Sequence, residues 1–104
     1  MMLKQKILAE MVGTFMIIFV GGGSMVLSEK NLIPSICVPV AWGLTVCVMI
    51  MAVGHISGAH FNPAVTLAYT AAKKFPASQV LVYWLSQFAG GVLAISLLAI
   101  LKKL

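Results

Sequence analysis

Gly54-His55-Ile56-Ser57-Gly58-Ala59-His60-Phe61-Asn62-Pro63-Ala64-Val65-Thr66 decides the fold, because it breaks an apolar segment and restarts it as a helix at the same place. Asn62 is a favoured N-cap residue, and Pro63 stands at the first helical position, where a missing N–H does no harm. From Ala64 the chain runs without Gly or Pro to Lys73-Lys74, about ten residues and hence about 15 Å of helix. That is roughly half of a bilayer core of about 30 Å. A half-length helix capped at the end far from its lysines reads as a re-entrant element that starts near the membrane midplane. Irregular backbone, expected here over residues 54–61, is tolerated at that depth only inside protein or along a wet cavity.

The composition places that element in a bilayer. Hydrophobic residues make up 62% of the 104 residues and only nine side chains are charged; the mean hydropathy is +1.09. A soluble domain carries about 25% charge, so the chain reads as an all-α integral membrane protein. Eight of the charges, Lys4, Lys6, Glu29, Lys30, Lys73, Lys74, Lys102 and Lys103, lie between or outside the apolar runs, and Glu10 alone intrudes. The net charge of +5 is interfacial lysine; no basic face with interleaved aromatics suggests nucleic acid. Cys37 and Cys47 sit ten residues apart in one apolar segment, about 15 Å along a helix, and cannot pair within it.

Three spans are expected, at about residues 7–27, 35–53 and 79–101, with the re-entrant loop and half-helix at 54–74 between the second and third. The first is longer than a signal-peptide apolar region, and its Gly13, Thr14 and Gly21-Gly22-Gly23 suit close helix packing. An N-terminus in the cytoplasm puts Lys4, Lys6, Lys73 and Lys74 inside against Lys30, Lys102 and Lys103 outside, a narrow positive-inside bias.

The stretch Ser57-Gly58-Ala59-His60-Phe61-Asn62-Pro63-Ala64-Val65-Thr66 resembles the first signature loop of the aquaporin, or major intrinsic protein, family. Ala9-Glu10-Met11-Val12-Gly13-Thr14-Phe15 resembles its first helix and Trp42-Gly43-Leu44 its second. Residues 53–64 and Lys73-Lys74-Phe75-Pro76 are most similar to the plant nodulin-26-like group. The resemblance implies an aquaporin-like fold and a passive channel for water and small neutral solutes such as glycerol or metalloid acids, with no cofactor and no enzymatic activity. Members have two inverted repeats, six spans and two half-helices, and are typically tetramers; the plasma membrane is the expected location of this chain. One repeat is present here, with no second Asn-Pro-Ala and no arginine. The chain therefore resembles the N-terminal half of a channel, a truncated product or a fragment, that needs a second repeat or another chain. Two alternatives stand: a non-conducting protein that associates with full-length relatives, and a half-channel that self-assembles from copies inserted in both orientations.

Asn62, Pro63 and Ala64 are then the candidate pore residues. The Asn62 amide would meet the solute at the positive end of the half-helix dipole, or would serve only as a helix cap. By resemblance the carbonyls of Gly58, Ala59, His60 and Phe61 line the pore. Glu10 would be costly in a span without a partner. The resemblance makes it a brace for the loop, bonded to loop backbone or to His60; the alternative is a carboxylate close enough to the interface to reach water. Trp42 is matched by resemblance to the aromatic selectivity filter, and otherwise suits an interfacial belt. His55 and His60, five apart without a third ligand nearby, suit structural hydrogen bonding better than a metal.

Overall fold

The computed structural model describes residues 2–104. It contains four α-helices, α1 (Leu3–Glu29), α2 (Cys37–Ser57), α3 (Pro63–Ala71) and α4 (Val80–Lys102), with a 3-10 turn at Ala77–Gln79 before α4. Three of these elements are long and apolar enough to cross a membrane: Leu3–Glu29, Cys37–Ser57 and Ala77–Lys102. The molecule is 44 Å long and 22–23 Å across, a length that matches a bilayer with its headgroups, about 40–45 Å. α1 stands in the middle, packed against α2 on one side and α4 on the other, while α3 lies on α4.

Small residues set these approaches, as expected where lipid supplies no hydrophobic drive between helices. Gly90 of α4 faces the backbone of α1 at Met11 and Phe15 so closely that an added Cβ would overlap the Met11 carbonyl oxygen. Gly13 and Gly21 serve a different purpose. A Cβ at Gly13 would overlap the Phe61 ring, and one at Gly21 the Trp42 indole, so each of these two glycines seats an aromatic side chain. Hydroxyls inside the spans turn back onto their own helices: Thr45 donates to the Ala41 carbonyl at 2.7 Å, and Ser86 and Ser96 to the Val82 and Val92 carbonyls, each at 2.8 Å. No polar group of theirs is then presented to lipid.

The helices end by identifiable devices. α1 closes with Asn31 in the left-handed region (φ 59°), the Asn31 N–H bonded to the Ser28 carbonyl and the Leu32 N–H to the Leu27 carbonyl, the pattern of a Schellman motif. α3 closes in the same way on Lys73 (φ 60°), with the Lys74 N–H on the Tyr69 carbonyl. α2 differs from its expected bounds. It continues through Gly54, His55, Ile56 and Ser57, and the irregular backbone is confined to 58–62. Gly54 is an ordinary interior helix residue; the turn waits for Gly58, whose φ of 89° demands glycine and whose N–H returns to the Gly54 carbonyl at 2.9 Å.

Candidate functional site: the loop between α2 and α3

Residues 58–62 carry the chain from the end of α2 to the start of α3, and three of them are left-handed: Gly58, Ala59 (φ 55°) and Phe61 (φ 56°). For Ala and Phe this conformation costs about 1–3 kcal/mol each and persists only where the surroundings impose it. Glu10 imposes it. Its carboxylate, wholly buried, accepts the Phe61 N–H at 2.8 Å and a Gln87 Nε2–H at 2.9 Å on Oε1. On Oε2 it accepts the Ser57 hydroxyl at 2.7 Å and the His60 N–H at 3.1 Å. α1, the end of α2, the loop and α4 thus converge on one carboxylate. The loop bonds come from backbone N–H groups, not from the His60 ring.

That ring belongs to a second layer. His60 Nδ1 lies 2.8 Å from Thr66 Oγ1, which also receives a Gln87 Nε2–H at 3.0 Å. The Thr66 hydroxyl has one proton; its other acceptor, the Asn62 carbonyl, is at 3.4 Å. Both tautomers close this layer: either the Thr66 hydroxyl donates to Nδ1, or Nδ1–H donates to Oγ1 and the hydroxyl turns to the Asn62 carbonyl. Tyr69, Phe75 and Tyr83 box the ring at centroid distances of 4.8, 4.8 and 5.0 Å. Tyr83 also donates its hydroxyl to the Ser57 carbonyl at 2.6 Å.

Asn62 is the N-cap of α3: its Oδ1 accepts the Ala64 N–H at 2.8 Å, and its carbonyl accepts the Thr66 N–H at 3.1 Å. Its amide NH2 is exposed and has no protein partner. Pro63 at the first helical position has its carbonyl held by Trp84 Nε1 at 3.1 Å. The carbonyls on either side of the loop are therefore engaged, at Ser57, Asn62 and Pro63. Among the described residues those of Gly58, Ala59, His60 and Phe61 have no hydrogen-bond partner. Four consecutive free acceptors and a free amide donor result.

An open groove of about 350 Å³ runs beside Asn62, walled by Trp42 of α2, Phe61, Thr14 and Ile17 of α1 and Gln87 of α4. Trp42, half-buried on Gly21, shares this groove with Asn62. Two buried polar atoms of its lining residues, Thr14 Oγ1 and Gln87 Oε1, have no partner. His55 is exposed on α2, and among the described residues no cluster of three metal-ligating side chains exists. Of the residues that build the site, Gln87, Tyr83 and Thr66 have no role assigned in the sequence reading. Gln87 carried a usable signal: an amide in the middle of an apolar span marks a site by default.

The sequence profile of the family described as major intrinsic protein matches residues 1–104. Nodulin-26 of Glycine max is 44% identical over 99 residues, which cover 93% of this chain and 36% of that protein. The putative aquaporin NIP4-1 of Arabidopsis thaliana is 48% identical over 105 residues, covering 97% of this chain and 36% of its own length. Aquaporin NIP1-1 of Oryza sativa subsp. japonica is 50% identical over 92 residues, 86% of this chain and 32% of that protein. The chain spans about a third of the length of these curated relatives.

Proposed function

The chain belongs to the major intrinsic protein family, and on that premise we propose that it supplies one half of a passive channel for water and small uncharged solutes, glycerol and metalloid acids among them. An all-α, multi-pass membrane protein of this family is a channel and not an enzyme. The observation that carries the finer reading is the run of free carbonyls at Gly58, Ala59, His60 and Phe61 ending on the free Asn62 amide. Acceptors in series replace the hydration of a neutral solute step by step. The Asn62 amide donates to the solute oxygen where the α3 dipole is positive, which disfavours cations. Trp42, across the groove, offers an apolar wall to the carbon face of a polyol, and Glu10 holds the loop in register.

The groove also argues for a covering element. The exposed Asn62 amide and the free carbonyls of the loop cannot be satisfied by hydrocarbon, where each unpaired polar group costs several kcal/mol. A second repeat, or another chain, would exclude lipid from this groove, within a tetramer of the kind the family forms. Lys4, Lys6, Lys73 and Lys74 favour an N-terminus in the cytoplasm, and the plasma membrane is the proposed location.

The test uses this chain grafted in place of the matching third of Glycine max nodulin-26 and reconstituted in liposomes. Asn62→Asp keeps an oxygen for the Ala64 N–H and so preserves the cap, but it removes the amide donor and adds a negative charge. Osmotic shrinkage with water and glycerol should slow, and cation leak should rise. Unchanged water, glycerol and cation fluxes in the graft carrying Asn62→Asp would remove Asn62 from the conducting path.

A further inference from the structure

A second pocket, of about 460 Å³, opens on the opposite side of the His60 layer, at the end of the molecule where α1 begins and α3 finishes. Lys6 from α1 and Lys74 from the turn after α3 both line it, with His60, Phe75, Pro76 and Gln79. Lys6 is half-buried there, not splayed into solvent. No carboxylate reaches either lysine. Among the described residues the one ion pair is Lys102 with Glu29, at the far end of the bundle. Glu10, one turn along from Lys6, is saturated by its four donors. The pocket thus collects two unpaired ammonium groups and, on the side of Gly58, the unpartnered Nε2 of His60. Gln79 lines it as well, with its Oε1 buried and without a partner.

We propose that this pocket binds the headgroup of an anionic phospholipid from the adjoining leaflet, its phosphate on Lys6 and Lys74 and a headgroup hydroxyl on Gln79 Oε1. Two cations lining one pocket without a protein counter-charge favour an anion, and a phosphate diester offers acceptor oxygens to both. Gln79 offers an acceptor to a hydroxyl on the same ligand once its amide turns toward the opening. Phosphatidylglycerol carries such hydroxyls, whereas the choline of phosphatidylcholine has no hydrogen-bond donor. Position supports a lipid over a free anion. Lys6 and Lys74 stand at the level where the apolar runs end, which is headgroup depth, and Phe75 and Pro76 give the pocket an apolar side toward acyl chains. The inference does not depend on the proposed transport, because it concerns the end of the fold that carries Lys6 and Lys74 and not the Asn62 groove.

The experiment is native mass spectrometry of the purified full chain in mild detergent, titrated with phosphatidylglycerol or phosphatidylcholine. The wild-type chain should retain phosphatidylglycerol in preference. Since each lysine near an anionic surface is worth about 1 kcal/mol, Lys6→Gln with Lys74→Gln should weaken phosphatidylglycerol retention about thirtyfold. Lys6→Arg with Lys74→Arg should restore it, which separates binding from any loss of structure. Lys4→Gln with Lys73→Gln removes the same charge from the same end but outside the pocket, and should cost less than a third of that factor. Equal losses from both glutamine pairs, equal retention of the two lipids, or displacement of phosphatidylglycerol by low millimolar inorganic phosphate would each overturn the assignment.

Discussion

Replacing Glu10 by Gln tests whether one carboxylate holds the strained loop. The side chains are the same size, so packing is preserved and only the acceptor pattern changes. In Gln an NH2 must replace one carboxylate oxygen. Placed at Oε1 it faces the Phe61 N–H and the Gln87 amide. Placed at Oε2 it faces Ser57, whose hydroxyl can rotate to accept, and the His60 N–H, which cannot. The second placement is the milder, and it strands one buried backbone donor at about 1–3 kcal/mol. The surviving bonds lose their charge assistance, roughly 1 kcal/mol each, while relief of the buried charge offsets part of this. The net is about 2–3 kcal/mol, enough to release the left-handed backbone at Ala59 and Phe61, whose strain is of the same size. Opening of the loop should become about 30- to 150-fold more frequent. NMR-detected amide exchange of the full chain in micelles reads it directly: the His60 and Phe61 amides should lose that factor of protection, and the amides in the far half of α1 should not. Unchanged exchange at His60 and Phe61, or an equal rise at every helix, would refute the bracing argument.

Gly90→Ala should destabilise the bundle by about 1–3 kcal/mol, because the new methyl meets the Met11 carbonyl and not a movable side chain. Gly43→Ala, with nothing within 4 Å of the added Cβ, should be neutral or slightly stabilising; denaturation in mixed micelles followed by circular dichroism compares them, and equal midpoints would contradict the packing account. Trp42→Ala in the nodulin-26 graft should raise uptake of polyols larger than glycerol relative to glycerol itself, since truncation empties the wall of the groove shared with Asn62. Equal relative uptake across a polyol size series would return Trp42 to an interfacial role.

The punctuation residues carried most of what the sequence disclosed. Asn62-Pro63 marks the start of α3 without ambiguity, since cap and first helical position are both chemically specified. Gly54 misleads, because an isolated glycine inside an otherwise apolar helix is tolerated and only the left-handed Gly58 ends it. The left-handed Ala59 and Phe61 were not legible. Nothing local favours that conformation for them; it comes from Glu10, 51 residues from Phe61. Gln87 meets Glu10 across 77 residues, a pairing no spacing rule anticipates. The glycines of α1 read as helix-packing residues, yet only Gly90 in α4 marks a backbone contact, and Gly13 and Gly21 seat aromatic rings from the loop and from α2.

α3 has nine residues, and a helix below about 12–15 residues is marginal by itself. Its own devices are the Asn62 cap at one end and the Schellman closure on Lys73 at the other. The remaining side-chain bonds that hold it come from α4 and from the loop: Trp84 to the Pro63 carbonyl, Gln87 and His60 to Thr66. α2 contributes none, and packs instead against α1. The two walls of the Asn62 groove are thereby set independently. Substituting Trp42 on α2 reshapes the opening while Asn62 stays in place; substitutions at Gln87 or Trp84 shift α3 and carry Asn62 with it. Size discrimination and solute orientation are therefore separable in this fold, because the residues proposed for each are anchored to different helices.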